Sequence, residues 1–263
     1  MLLPRSAALA GLFFLPFSCV QAADVCTVVA DAGTRAILVQ RGDCQTRVTP
    51  ASTFKIAISL MGYDAGFLKD QHAPTLPYRE GYVAWRENWK QPADPSRWMG
   101  DSVVWYSQQV TTWLGMPRLQ GYVRQFGYGN ADVAGDAGND GLTLSWIGSS
   151  LRISPLEQVD FLRKLVNRQL GVNAHAYDMT ARLLAYKPVG GWEISGKTGA
   201  SSGYGWYVGW ATKGKRSLVF AHLLRRDEAD PEDVPAGVLA RERFLADWPA
   251  LATQPARQPA GAR

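Results

Sequence analysis

Cysteine and histidine are scarce in this chain, three of each among 263 residues. His72, His175 and His222 are far apart and share no ligand spacing, so a histidine-based metal centre is not expected, and each reads as a surface or packed residue. No G-x-S-x-G turn is present, which removes the usual setting of a histidine-activated serine hydrolase. Blocks of like charge are also missing. The net charge is +5, Lys and Arg are scattered, and Arg225 and Arg226 are offset by Asp227, Glu228 and Asp230. A nucleic-acid partner would need basic residues gathered on one face, so none is expected. A mild positive field suits small anionic molecules instead.

Long apolar runs are absent after the first residues. There, Arg5 precedes an apolar stretch over residues 7–17, and Val20-Gln21-Ala22 gives the small-x-small pattern of a cleavage site. Residues 1–22 therefore read as a secretory signal peptide. The stretch is shorter than the about 20 residues a spanning helix needs. The mature chain is expected to begin near Ala23, outside the inner membrane and with no membrane partner. Cys26 and Cys44 are then the thiols that remain. A pair in an oxidising compartment favours a structural bridge.

The body of the chain reads as one packed domain. Two β-like runs, residues 27–30 and 36–40, flank the turn signal Asp31-Ala32-Gly33-Thr34. Helical patterns follow at residues 52–61, 101–114, 156–170, with Ser154 as N-cap and Pro155 at N1, and 174–184. After Pro188 the pattern turns to strands, at 192–195, 205–212 and 217–224, with Lys213-Gly214-Lys215 as a turn, and ends in a helix over 236–248. This order predicts an α+β fold, with an antiparallel sheet built from both chain ends and flanked by terminal helices. The sheet lobe would take residues 23–50 and 189–251, with an all-α lobe over 51–188 inserted between them. Residues 252–263 contain Ala, Thr, Gln, Pro, Gly and Arg and read as a tail.

Chemistry concentrates in a few short strings. In Ser52-Thr53-Phe54-Lys55 the serine and lysine share a helix face at i, i+3. The hydroxyl then sits at the positive end of the helix dipole, which favours a developing anion. A serine needs an adjacent base, and a lysine buried among apolar neighbours loses proton affinity and can be that base. Taken alone, the string reads equally as an N-cap serine with a surface lysine. Lys197-Thr198-Gly199 changes that reading. It lies on a predicted strand well after the serine and can hold an anionic substrate against the backbone. Ser102-Val103-Val104 is placed at the start of the second helix, where its hydroxyl can carry a proton to a leaving nitrogen. Tyr128-Gly129-Asn130 completes the order.

Together with Trp146 and Gly205-Trp206-Tyr207-Val208-Gly209-Trp210, these strings resemble the class D (oxacillinase-type) serine β-lactamases, over nearly the whole mature chain. The resemblance implies the β-lactamase/transpeptidase-like fold and a penicillin-like substrate opened through an acyl-enzyme on Ser52. It implies that Lys55 is carboxylated by CO2 or bicarbonate to N6-carboxylysine and acts as general base in both acylation and deacylation. No other cofactor or metal is implied. Trp146 would hydrogen-bond the carbamate, with Val104 and Ile147 as an apolar wall. The backbone N–H groups of Ser52 and Ala200 would form the oxyanion hole. Lys197, Thr198, Gly199 and Arg241 would meet the substrate carboxylate, with Arg243 as the alternative arginine. The resemblance also implies a periplasmic location.

Several features separate the chain from neighbouring families. The segment before Trp146 has no glutamate of the class A kind, and Val104 stands where transpeptidases and lactam sensors carry an asparagine. The segment between Lys197 and Trp206 is short. A transpeptidase or carboxypeptidase, and a lactam-sensing domain, use the same nucleophile. They are the competing readings.

Overall fold

The computed structural model describes residues 24–255. The expected signal peptide over 1–22 and the end of the expected tail, residues 256–263, lie outside the described residues.

Five strands form one antiparallel sheet in the order β2-β1-β7-β6-β5. They are β1 (Asp24–Asp31), β2 (Ile37–Gly42), β5 (Glu193–Ser201), β6 (Tyr204–Lys213) and β7 (Arg216–Arg225). The pairing of β1 with β7 joins the two ends of the chain, with Val28 opposite Ala221. Between them run α1 (Lys55–Asp64), α2 (Pro95–Asp101), α3 (Val104–Leu114) and α4 (Met116–Phe126). A two-residue ribbon follows, β3 (Gly135–Asp136) with β4 (Asn139–Asp140), and then α5 (Gly141–Leu144), α6 (Pro155–Val166) and α7 (Ala174–Leu184). The last helix is α8 (Ala236–Leu251). Ala252, the first residue of the expected tail, is buried at its end.

Alternation along β7 shows how the sheet carries two cores. Val219, Ala221 and Leu223 face the large core shared with the helical region, while Leu218, Phe220 and Leu224 face α8. Because both faces are covered, the strand is apolar almost without interruption. Under α8, Phe220 stacks on Phe244 with ring centroids 4.4 Å apart, and Trp248 closes the row. On the opposite face, α6 starts with a reciprocal capping box between Ser154 and Glu157, and Pro155 opens its first turn. Cys26 on β1 is bridged to Cys44 just after β2, with Cα atoms 5.1 Å apart.

The second helix departs from its expected start. Ser102 does not open it. A short helix, α2, begins under Asp94 as N-cap and ends at Ser102, which takes the left-handed conformation at φ +60°. Only then does α3 begin, at Val104. The left-handed region costs a non-glycine residue about 1–2 kcal/mol, and here it places a hydroxyl at a corner between two helices.

Candidate active site

The nucleophile candidate sits on a tight 3₁₀ turn over Ala51–Phe54 that runs directly into α1. Ala51 adopts φ +50°, and its N–H donates to the Trp146 carbonyl at 3.0 Å. Thr53 is pinned behind the turn, its hydroxyl donating to Pro50 O at 2.7 Å and accepting from Gln158 Nε2 at 3.0 Å. Ser52 is left facing a cleft of about 420 Å³, and Lys55 points inward with no exposed surface. Lys55 Nζ donates to Ser52 Oγ at 3.1 Å.

The edge strand β5 closes the other side. Gly199 is required by close approach. A Cβ there would stand 2.9 Å from Pro50 O and 3.2 Å from Thr53 N, so any side chain would push the strand off the turn. Ser52 and Ala200 consequently line the same cleft. Thr198 lines it too, while the neighbouring Lys197 is buried with Nζ 3.3 Å from the Thr198 carbonyl. Gly237 does for α8 what Gly199 does for the turn. A Cβ on Gly237 would lie 2.6 Å from Gly199 O, so the helix start is pressed onto β5. Arg241, one helical turn later, is thereby carried to the cleft. Arg243 is not. It pairs with Asp230 instead and does not line the cleft.

Electrostatically the site is an excess of donors. Among the described residues Lys55 forms no ion pair, and burial, then the charge of Lys197, holds its amine well below the ordinary lysine range. Burial, followed by the charges of Arg241 and Arg86, lowers Lys197 to about 7. Ser102 Oγ and Trp146 Nε1 are buried without a hydrogen-bond partner. Trp146 packs on Phe54, the residue before Lys55, with ring centroids 5.5 Å apart. No group of three or more potential metal ligands occurs among the described residues.

Sequence reasoning placed Ser52, Ser102, Val104, Thr198, Ala200 and Arg241 at one site, and all of them line the cleft. Tyr128-Gly129-Asn130 is elsewhere. Tyr128 is buried behind the turn, 5.1 Å from the Phe54 ring, and Asn130 binds the segment after Trp146. Sequence reasoning missed Trp85, Arg86, Asn88 and Trp89, which form the opposite wall, and Pro235 and Val238 at the start of α8. These are the walls that the short β5–β6 connection does not supply. The signal for the first was an unassigned Trp-Arg-x-x-Trp string in a loop. Trp85 is 62% exposed, a large apolar surface left open at the cleft.

A turn bearing serine and lysine, pressed against an edge strand bearing Lys-Thr-Gly, is the site of the penicillin-binding fold. The family model described as the penicillin binding protein transpeptidase domain matches residues 25–241. Within that fold, β-lactamase OXA-9 of Klebsiella pneumoniae is 41% identical over 256 residues, covering 90% of this chain and 93% of the relative. β-Lactamase OXA-1 of Escherichia coli is 36% identical over 210 residues, with 76% of this chain and 75% of the relative covered. The crystal structure of the class D β-lactamase OXA-427 superposes with a TM-score of 0.82 at 43% identity, over 86% of this chain and 98% of the other. The chain belongs to the class D serine β-lactamases.

Proposed function

We propose that this protein hydrolyses the lactam ring of penicillin-like compounds through an acyl-enzyme on Ser52, with carboxylated Lys55 as its base. The observation that carries the reading is a buried lysine, bonded to the serine and forming no ion pair among the described residues, with an unpartnered indole N–H on the Trp146 ring that packs on the adjacent Phe54. A fully buried ammonium is unfavourable without a counter-charge. The neutral amine can attack CO2. An N–C bond forms, a C=O bond pair moves to oxygen, and the nitrogen proton leaves to solvent. When carboxylated, Lys55 supplies an anionic base for the serine proton and later for a proton of water. Trp146 Nε1–H is a donor only and fits that anion, and Val104 and Ile147 keep its surroundings apolar.

The remaining residues bind and orient. The backbone N–H groups of Ser52 and Ala200 are assigned to the oxyanion, where one donor is worth roughly 3–4 kcal/mol. Ser102 Oγ, buried and without a partner, is assigned to the proton that the leaving nitrogen takes up. Thr198, Lys197 and Arg241 are assigned to the lactam carboxylate, with Gly199 allowing the strand to approach. Trp85, open at the cleft mouth, offers an aromatic surface to the acyl substituent. Export to a periplasm is part of the same reading. It is supported by the charge and apolar pattern of residues 1–22 and by the Cys26–Cys44 bridge. No helix among the described residues is long and apolar enough to cross a membrane.

The test is a time course with a chromogenic lactam in bicarbonate buffer, with mass spectra of the protein taken during the run. Many turnovers and a transient adduct on Ser52 are expected. Consumption of one equivalent followed by a lasting adduct would move the protein to the transpeptidase or sensor reading.

A further inference from the structure

Arg86 lines the catalytic cleft, yet the chemistry assigned to Ser52 and Lys55 gives its charge no task. It precedes a short 3₁₀ turn over Glu87–Trp89. Its guanidinium lies over the ring of Trp89, with Cζ 5.8 Å from the centroid. That ring is a fixed platform. Trp89 is buried, its Nε1–H donates to Asp101 O at 3.0 Å, and its carbonyl accepts from Trp105 Nε1 at 2.8 Å. The arginine is thus carried by a wall tied to the helices on either side of the Ser102 corner.

The acids around it are engaged elsewhere. Glu87 pairs with Lys90 at 2.8 Å, and Asp101, which also lines the cleft, pairs with Arg97 at 3.3 Å. Among the described residues the Arg86 guanidinium, which is exposed, forms no ion pair. An unpaired surface arginine is ordinary, but this one acts across the cleft. After burial and Arg241, its charge is the third cause that lowers the proton affinity of Lys197.

A penicillin-like molecule brings one carboxylate on its fused ring, and Thr198, Lys197 and Arg241 are assigned to that group. Arg86, on the opposite wall, is a cation beyond this need. Its neighbour Trp85 is the open surface assigned to the acyl substituent. An anionic group on that substituent would meet a guanidinium whose planar fork suits carboxylates.

We propose that Arg86 is a specificity-determining residue that binds a second carboxylate on the acyl substituent, so that dianionic penicillins are preferred over their monoanionic counterparts. The inference rests on the reading of Ser52 as the acylated nucleophile. Arg86 touches no reacting atom in this account and acts by binding the substrate.

Benzylpenicillin and its α-carboxyl derivative, carbenicillin, differ by one carboxylate next to the side-chain carbonyl. Acylation of Ser52 by each is timed by mass spectrometry in the parent, Arg86→Gln and Arg86→Lys. Comparing the parent with each variant cancels the different intrinsic reactivities of the two lactams. In Arg86→Gln the acylation rate at low concentration should fall about 5-fold more for carbenicillin than for benzylpenicillin, the upper end for a charge pair open to solvent. Arg86→Lys keeps the charge without the fork and should retain part of the preference. Equal losses for both penicillins would overturn the proposal, because Arg86 would then serve the ring carboxylate or the general field of the cleft. Equal rates in parent and Arg86→Gln would overturn it too, leaving the arginine only as cover for Trp89. A protein that is acylated but never turns over fails as a hydrolase while the selectivity is still measured. No adduct on Ser52 with either penicillin would remove both readings.

Discussion

Two neighbouring polar regions are built in opposite ways. Around Asn130 nearly every polar group is closed. Its side-chain amide donates to Ser150 O at 2.8 Å, and its Oδ1 accepts from Arg152 N at 2.9 Å. Its own N–H donates to Arg152 O at 2.9 Å, and Ser150 Oγ links Asp132 O to Gly135 N. Around Ser52 the groups stay open. Ser102 Oγ and Trp146 Nε1 have no partner, and two buried lysines lack acids among the described residues. Satisfied networks rigidify, whereas open buried donors are retained at a cost. The closed region holds the segment that carries Trp146, and the open one is where substrate, water and a modified lysine complete the bonding. Local stability is therefore spent on scaffolding next to the site rather than within it.

The largest expected effect tests the open region. Lys55→Ala removes the assigned base and should lower kcat/KM by roughly 10²–10⁴-fold, with the far-ultraviolet dichroism spectrum unchanged. Turnover that survives would dissolve the distinction, because the buried amine would then be only packing. Trp146→Phe, a milder cut, keeps an aromatic ring on Phe54 but removes the donor. Its activity should depend on added bicarbonate while the parent is saturated without it, and indifference to bicarbonate would make Trp146 a plain core residue.

Asn130→Ala breaks the closed region instead. Two backbone partners, Ser150 O and Arg152 N, lose their bonds at an exposed position, for a loss of roughly 0.5–1.5 kcal/mol in denaturant unfolding. The effect on kcat should be smaller than that of Trp146→Phe. A reversed order would mean that the hub acts in the reaction.

The smallest effect is a slope. Lys197 has a folded value of about 7, below the unfolded ~10.4. Between those values the unfolded chain binds a proton that the native one does not. Stability should therefore rise with pH across this window, by at most about 1.4 kcal/mol per unit from this group, and flatten below it. Lys55 adds a slope of the same sign. Unfolding measured between pH 7.5 and 9.5 should show a shallower rise in Lys197→Met, and equal slopes would contradict the buried-cation account.

Much of this was legible along the chain because it is local. The i, i+3 spacing of Ser52 and Lys55, the Ser154-Pro155 start of α6 and the span of α7 depend on neighbours within a turn. The three C-terminal strands were legible from their apolar runs. Ser102 was misplaced because a left-handed helix end and a helix start look alike in a polar string. Tyr128-Gly129-Asn130 was grouped with the site because order along the chain does not distinguish a wall of the cleft from its support.

By itself the sequence determined which groups are available: a serine one turn from a lysine, a Lys-Thr-Gly strand, an indole and a set of arginines. It also determined an α+β order whose ends can pair, and β1 has one of its two partner strands, β7, almost two hundred residues away. Tertiary structure alone decided which of these groups meet. Gly199 and Gly237 bring three separate segments within contact, so Arg241 enters the cleft and Arg243 does not, although both lie on the same helix. Tertiary structure also decided that Trp85, Arg86 and Trp89 form the facing wall. The physical reason is that periodicity and capping are set by a few adjacent residues. Burial and the loss of a hydrogen-bond partner are set by whatever the rest of the chain places opposite.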